Sequence, residues 1–206
     1  MTSRILRLLV AASILMPLQM VFVRAADTNR PPNWAVAMQA DGLSNFYKVS
    51  DRLYRSAQPT SEGIRKLKEL GIKTVVNLRS FHSDRRKIGN AALTYDHIYM
   101  KAWHPEEEEI VRFLRLVTDE SSGPVLVHCQ HGADRTGTMC AIYRVAVQGW
   151  TKEEALKEMT TGGYNFHSIW HNLPKWFNKL DIEKVRKAAG IEPPKPKTVA
   201  TEAQSR

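Results

Sequence analysis

A short apolar strand that leads directly into a compact loop and then into a helix is the feature that most constrains this chain. The apolar stretch Val125–Val127 ends at His128 and Cys129, and Arg135 follows after a gap of five residues. Parallel sheets covered by helices are built from strand, loop and helix units of this kind. Such sheets bind ligands at the carboxyl ends of their strands, which is where we expect this loop to lie.

Strand and helix patterns alternate along the rest of the chain. The predicted strands are residues 46–49, 53–56, 72–78, 95–100 and 125–128. The predicted helices are residues 61–70, 84–93, 106–117 and 136–147, one that begins with a capping box at Thr151, and a packing region over 168–189. This order predicts a single α/β domain with a mostly parallel central sheet flanked by helices on both faces.

The two ends of the chain differ from this domain. Arg4 and Arg7 precede an apolar run over residues 8–23, and small residues around Arg24 follow it. We interpret residues 1–25 as a cleaved export signal, because the run is shorter than the ~20 residues that a membrane-spanning helix needs. Residues 26–45 are expected to be an extended lead-in, 46–190 the domain, and 191–206 a disordered tail rich in Pro and Lys. The sequence thus predicts an exported protein, periplasmic or secreted, without stable membrane insertion after cleavage.

Composition and charge narrow the possible partners. Hydrophobic residues make up 43% and charged residues 25% of the 206 residues, which excludes a collagen-like or wholly disordered chain. The formal charge is +9, and removing the three arginines of the signal leaves a basic mature protein that favours anionic partners. Two cysteines, Cys129 and Cys140, are too few for a disulfide scaffold.

The loop between Cys129 and Arg135 has the composition of a phosphate cradle. Its backbone N–H groups can turn inward around a tetrahedral anion, Gly132 permits a positive φ there, and the following helix adds its positive dipole end. The guanidinium of Arg135 can grip two phosphate oxygens, and the same positive surroundings favour a nucleophilic Cys129 thiolate. We also expect the Thr136 hydroxyl to donate to that thiolate. The predicted phosphate-binding residues are Gln130, His131, Gly132, Ala133, Asp134, Arg135 and Thr136.

This pattern resembles the signature of the cysteine-dependent protein tyrosine phosphatase superfamily, which is His-Cys, five residues, Arg, and then Ser or Thr. The loop lies late in the domain, and the segment Leu53–Pro59 is also similar to compact members of the dual-specificity branch. The resemblance implies the dual-specificity phosphatase fold, with Cys129 and Arg135 as catalytic residues. It implies hydrolysis of phosphomonoesters through a phosphocysteine intermediate, without a metal or other cofactor. The expected substrate is phosphotyrosine or a phosphoprotein of dual specificity, and the alternative substrate is an inositol phosphate or phosphoinositide. A third interpretation is that the protein is a non-catalytic module that binds phosphorylated ligands. We expect a monomer that does not bind nucleic acid.

The proton donor departs from the family pattern. The family usually supplies an Asp from a movable loop between a strand and a helix, but the matching segment, residues 101–107, contains none. Asp134 is our first candidate, because myotubularin lipid phosphatases and bacterial effector inositol phosphatases are similar in placing an Asp there. Its alternative role is to orient Arg135 or to cap the helix. Glu106 and His104 remain candidates on the movable loop.

Other residues have weaker interpretations. His131 adds positive charge or simply faces solvent, and His128 is expected to hydrogen-bond the loop. His167 and His171 are spaced i, i+4 and fit either a metal or, as we favour, helix packing. Cys140 is expected in the core. Core packing is also the default for three aromatic residues near the loop, which are Trp103, Tyr164 and Phe166.

Overall fold

The computed structural model describes residues 30–194, which form one sheet of six strands with helices on both sides. The strands are β1 (Val36–Ala37), β2 (Tyr47–Lys48), β3 (Leu53–Ser56), β4 (Thr74–Asn77), β5 (Thr94–His97) and β6 (Val125–His128). The helices are α1 (Ser61–Glu69), α2 (Arg85–Ile88), α3 (Glu107–Thr118), α4 (Asp134–Ala146), α5 (Lys152–Thr161), α6 (Asn172–Lys179) and α7 (Ile182–Ala189), with single 3₁₀ turns at Glu120–Ser122 and Ser168–Trp170.

The sheet is mixed but mostly parallel. Its strand order is β1-β2-β3-β6-β4-β5, and the four strands from β3 to β5 in that order run parallel. The antiparallel pairs, β1 with β2 and β2 with β3, lie at one edge. β6 therefore lies inside the sheet between β3 and β4, and the carboxyl ends of these parallel strands meet at one edge. The predicted α/β class with helices on both faces is confirmed.

Two apolar cores lie on opposite faces of the sheet. Val75 and Leu126 pack with α1 and α2 in one cluster, whereas Val76 and Val127 belong to the larger cluster with α3, α4 and α7. Neighbouring residues of one strand point to opposite faces, so strands buried on both sides must be apolar throughout. The continuous apolar run of β6 has this cause.

Three elements differ from the sequence prediction. Ordered structure begins before residue 46: the lead-in supplies β1, and Ala35 is buried beside it. The helix predicted over 84–93 is only the single-turn helix α2, because Gly89 adopts a positive φ of 48° and ends it. Helix α4 begins at Asp134, two residues earlier than predicted, which places Asp134 and Arg135 on its first turn.

The capped helices agree with the sequence. The Thr60 side chain accepts from Gly63 N at the start of α1, and Thr151 and Glu154 form the predicted capping box of α5. The export signal predicted for residues 1–25 and most of the predicted tail lie outside the described residues. Within residues 30–194, no helix is both long enough and apolar enough to cross a membrane.

Candidate active site

Cys129 lies at the centre of the sheet edge where the parallel strands end. It directly follows β6, and the β3 and β4 strands flank it in register, with Ser56 and Asn77 each paired with His128. The residue is only 2% exposed, and the loop that follows it leads into α4 without a further connection. This is the predicted strand, loop and helix unit.

The loop is held from outside by its carbonyl groups. The carbonyl of Gln130 accepts from Gln58 N at 3.1 Å, that of His131 from Asn45 Nδ2 at 2.9 Å, and that of Gly132 from Arg55 at 2.5 Å. In a trans peptide the C=O and the next N–H point in opposite directions. The N–H groups that follow these carbonyls therefore face the other side of the loop, which is the orientation that a cradle for an anion requires.

Gly132 is required by both conformation and space. Its φ is +69°, and a Cβ built on it would lie 2.5 Å from the backbone carbonyl of Ser56. The loop thus approaches the end of β3 so closely that no side chain fits. Arg55, the donor to the Gly132 carbonyl, is 2% exposed and stacks 3.7 Å from the ring centroid of Tyr164, which is also buried.

Arg135 and Thr136 begin the helix at the loop. The Arg135 guanidinium donates through Nη1 to the Leu78 carbonyl at 3.3 Å, which ties it to the end of β4. The Thr136 hydroxyl is fully buried, and among the described residues it has no hydrogen-bond partner. The predicted bond from this hydroxyl to the Cys129 sulfur is therefore not formed in this structure.

A buried carboxylate lies behind the loop. Asp84 is 0% exposed, and its Oδ2 lies 3.0 Å from His128 Nε2 and 2.7 Å from the donor Asn77 Nδ2. Its Oδ1 accepts from Gln58 Nε2 at 2.8 Å and lies 3.4 Å from Lys87 Nζ. Burial alone raises the pKa of Asp84, but the hydrogen bonds and positive charges of these partners outweigh it and lower the pKa to about 2.

His128 connects this carboxylate to the loop. Its Nδ1 donates to the Cys129 carbonyl at 3.0 Å, as predicted, while Nε2 faces Asp84. The ring therefore bridges the buried Asp84 carboxylate and the backbone of Cys129. This contact fixes the backbone at the start of the loop.

A second arginine lies at the rim of the loop. Arg79, two residues after β4 ends, donates to Gln130 Oε1 at 3.3 Å and to Gln58 Oε1. Burial lowers the pKa of Arg79, and the charge of Arg135 lowers it further. The sequence analysis did not select this residue.

Asp134 is bound to a histidine from a distant segment. Its Oδ1 accepts from the His167 backbone N–H at 2.9 Å, and its Oδ2 lies 2.8 Å from His167 Nδ1. The His131 ring lies 5.2 Å from the His167 ring, so three titratable side chains meet at the start of α4. His167 thus binds a carboxylate instead of packing in a helix. Within residues 30–194, no group of three or more side chains is placed to hold a metal ion.

The movable-loop candidates have structural roles. The Glu106 side chain accepts from the N3 backbone of α3, and Glu109 reciprocates by accepting from Glu106 N at 2.9 Å, which is a capping box. The His104 ring lies 3.8 Å from the same Glu106 carboxylate. Trp103 is 56% exposed, so the expectation of core packing is wrong for it. Its backbone carbonyl accepts from Asn172 Nδ2, which anchors this loop to α6.

Cys140 and Tyr164 are core residues, as predicted. Cys140 is buried on α4, and burial raises the pKa of its thiol to about 11. Both Cys129 and Cys140 are free. Tyr164 is 1% exposed and donates to Glu158.

Comparison with known proteins identifies the family. Residues 27–172 match the family model described as a DSP-PTPase phosphatase fused to NAD+ kinase. The dual specificity protein phosphatase TpbA of Pseudomonas aeruginosa strain PAO1 is 37% identical over 186 residues, which are 89% of this chain and 84% of that protein. The chain belongs to the dual-specificity phosphatase family. It is a phosphatase, and membership implies the cysteine-based mechanism that the loop suggests.

A solved structure of TpbA and one further relative are also similar to this chain. One crystal structure shows P. aeruginosa TpbA in a cysteine-to-serine form in complex with phosphotyrosine. Its sequence is 34% identical to this chain, and the two structures superpose with a TM-score of 0.70 over 78% of this chain and 98% of that one. The inositol diphosphatase DSP3 of Arabidopsis thaliana is 29% identical over 123 residues, 56% of this chain and 60% of that protein.

Several residues that contact the loop or its supporting network lie far from Cys129 along the chain, and the sequence did not predict their contacts. They are Arg55, Gln58, Asn77, Arg79, Asp84 and His167. Most of these residues lie on the carboxyl ends of β3 and β4 or follow them. The predicted ends of these strands were therefore the sequence signal that could have located them near the loop. His167 had no such signal, because its loop reaches the site only through the packing of α5 and α6.

Proposed function

We propose that this phosphatase removes phosphoryl groups from tyrosine, and from serine or threonine, of phosphoproteins, with Cys129 as the nucleophile. The observation that carries the proposal is the loop whose carbonyls are tied outward by Gln58, Asn45 and Arg55, because this leaves a ring of N–H donors above a buried cysteine. A related phosphatase of the same fold binds phosphotyrosine, which supports this substrate class.

The reaction proceeds in two displacements. The Cys129 thiolate attacks phosphorus, the S–P bond forms, and the bond from phosphorus to the substrate oxygen breaks. The loop N–H groups and the Arg135 guanidinium stabilise the charge on the equatorial phosphoryl oxygens. A proton is given to the departing oxygen. Water then attacks phosphorus and gives a proton to the group that protonated the leaving oxygen. The new P–O bond forms, the S–P bond breaks, and phosphate leaves with the thiolate restored.

We place the proton donor at Asp134 and its partner His167. Asp134 Oδ1 accepts from the His167 backbone N–H at 2.9 Å, and Oδ2 lies 2.8 Å from His167 Nδ1, so a proton can pass between the two side chains at the start of α4. Asp134 is largely buried, whereas the His167 side chain is 43% exposed at the mouth of the site. The pair thus has one member inside the loop and one that reaches solvent.

The acid proposal is tested by leaving-group dependence. Asp134→Asn and His167→Ala should both slow alkyl phosphates far more than aryl esters with acidic leaving groups, because only the former need a proton in the transition state. His171→Ala, the neighbouring histidine one turn away, is the matched control and should behave as the wild type. Equal slowing of both substrate types would show that Asp134 and His167 do not supply the proton.

We further propose that the protein acts outside the cytoplasm, after loss of residues 1–25. The support is the sequence alone, which places Arg4 and Arg7 before an apolar run and small residues after it. Fractionation of cells that produce the full chain, with mass spectrometry of the mature N-terminus, tests it. An intact Met1 in the cytoplasmic fraction would contradict the proposal.

Inositol phosphates are a second candidate substrate class. Arg79 and Arg135 place two cations at the loop that suit a polyanion, and the Arabidopsis relative is named an inositol diphosphatase. Phosphate release from a panel of phosphopeptides and inositol phosphates separates the two. Cys129→Ser should abolish release from every substrate; wild-type binding without any release would instead indicate a non-catalytic module.

A further inference from the structure

Arg79 is a cation at the phosphate loop that the two displacements do not use. Asn77 pairs with His128 in parallel register, and Leu78 N donates to the His128 carbonyl at 2.8 Å. Arg79 therefore lies level with Gln130, the first loop residue after the nucleophile. Its guanidinium contacts the exposed Gln130 side chain, so it lies at the rim of the cradle and not at its floor.

The backbone of Arg79 is fixed from both sides. Its N–H donates to Asn77 Oδ1 at 2.8 Å, and its carbonyl accepts from His97 Nε2 at 2.6 Å. Asn77 in turn donates to the buried Asp84 carboxylate. The start of this long side chain is thus held by the same network that supports His128, which limits where the guanidinium can reach.

Neither arginine at the loop has a carboxylate partner in the part of the chain that the structure describes. Arg135 donates to the Leu78 carbonyl, and Arg79 donates to the side-chain oxygens of two glutamines. Asp84 acts on Arg79 through its charge, but its oxygens are engaged by His128 and other partners. Two adjacent cations with only neutral acceptors repel each other, and an anion between or beside them relieves this repulsion.

We propose that Arg79 binds a second anionic group of the substrate, a carboxylate or phosphoryl group adjacent to the phosphoryl group that is removed. Arg135 is committed to the scissile group, whereas the amide oxygens that hold Arg79 are neutral and can be exchanged for a charged acceptor. Hydrogen bonds to a charged acceptor are about twice as strong as neutral ones, and the guanidinium fork fits carboxylate and phosphate alike. This inference rests on the proposed phosphatase function and narrows its substrates to those with paired negative charges.

The test compares matched substrate pairs. One pair is a phosphotyrosine peptide with Glu beside the phosphotyrosine and the same peptide with Gln; the other is an inositol carrying one phosphate and an inositol carrying two on neighbouring carbons. The wild type should prefer the doubly anionic member of at least one pair. Arg79→Gln should reduce that preference, measured as the ratio of kcat/KM values, by about tenfold or more, as loss of a charged hydrogen bond predicts. Arg79→Lys, which keeps the charge without the fork, should retain part of it.

The matched control is Arg86→Gln, an exposed arginine of α2 outside the site, which should leave the ratio unchanged. The pair that shows the preference identifies a peptide carboxylate or a second phosphoryl group as the source of the anion. An Arg79→Gln ratio equal to that of the wild type, or a wild type without preference in both pairs, would overturn the proposal. Failure of the phosphatase function itself is distinguishable, because it would remove release from the singly charged members as well.

Discussion

Replacement of the buried carboxylate behind the loop, Asp84→Asn, tests how much that network stabilises the fold. The side chain is 0% exposed, and its charged contacts are His128 and Lys87. The amide keeps nearly the same shape but loses the charge. Packing is almost unchanged, but one acceptor oxygen becomes an NH2 group that faces a donor, so the charge accounts for the part of the effect that depends on pH.

The magnitude follows from the shift in the pKa of Asp84. Its pKa falls from 3.8 to about 2 in the folded protein. At about 1.4 kcal/mol per pKa unit, the shift corresponds to about 2.5 kcal/mol of folding free energy near neutral pH. Because the folded pKa is the lower one, this stabilisation is present above pH 3.8 and is lost as the pH falls through about 2. Near pH 3 about half of it remains.

Urea denaturation at pH 7, 5, 4 and 3 measures this directly. The difference in unfolding free energy between wild type and Asp84→Asn should be at least about 2.5 kcal/mol at pH 7, and it should narrow at pH 3 as the charge contribution falls by about half. Asp51→Asn is the matched control, because Asp51 forms a surface ion pair with Lys48 and its side chain is 95% exposed. Its urea midpoint should not move. A difference that is absent at pH 7, or that stays constant down to pH 3, would refute the assignment of a charged, stabilising Asp84.

Further predictions concern the loop and the core. Gly132→Ala should destabilise the fold by about 1–3 kcal/mol from backbone strain alone, which the melting temperature checks. It should also reduce phosphate release sharply, because the added Cβ meets the last residue of β3 and displaces the loop; kcat checks this. Cys129 and Cys140 are both buried, but iodoacetamide at neutral pH should label Cys129 faster, because the Cys140 thiol, with its pKa raised to about 11, stays protonated. Mass spectrometry of the peptides decides this. Arg144→Met should lower the free energy of unfolding by about 3–5 kcal/mol, because it leaves the buried Glu158 carboxylate without its ion-pair partner. In the wild type, Arg144 Nε lies 2.7 Å from that carboxylate. Thermal unfolding tests this prediction, and a change within experimental error would contradict it.

Local signals in the sequence were sufficient for most elements. β3 and β6 have the predicted bounds, and the caps at Thr60 and Thr151 mark where α1 and α5 begin. These features depend on residues within a few positions of one another, so a short stretch of sequence contains the physical cause. β1 was missed because its two residues become a strand only by pairing with β2.

The sequence by itself determined the turn between Cys129 and Arg135 and its place in the fold. The spacing of these two residues and the glycine at position 132 fix a local backbone conformation, and the apolar run of β6 places it at the centre of a sheet. Only the tertiary structure decided what surrounds that turn. The donors that hold its carbonyls outward, the Asp84 carboxylate and the His167 partner of Asp134 come from segments far along the chain, and their positions depend on sheet order and helix packing that no local pattern encodes.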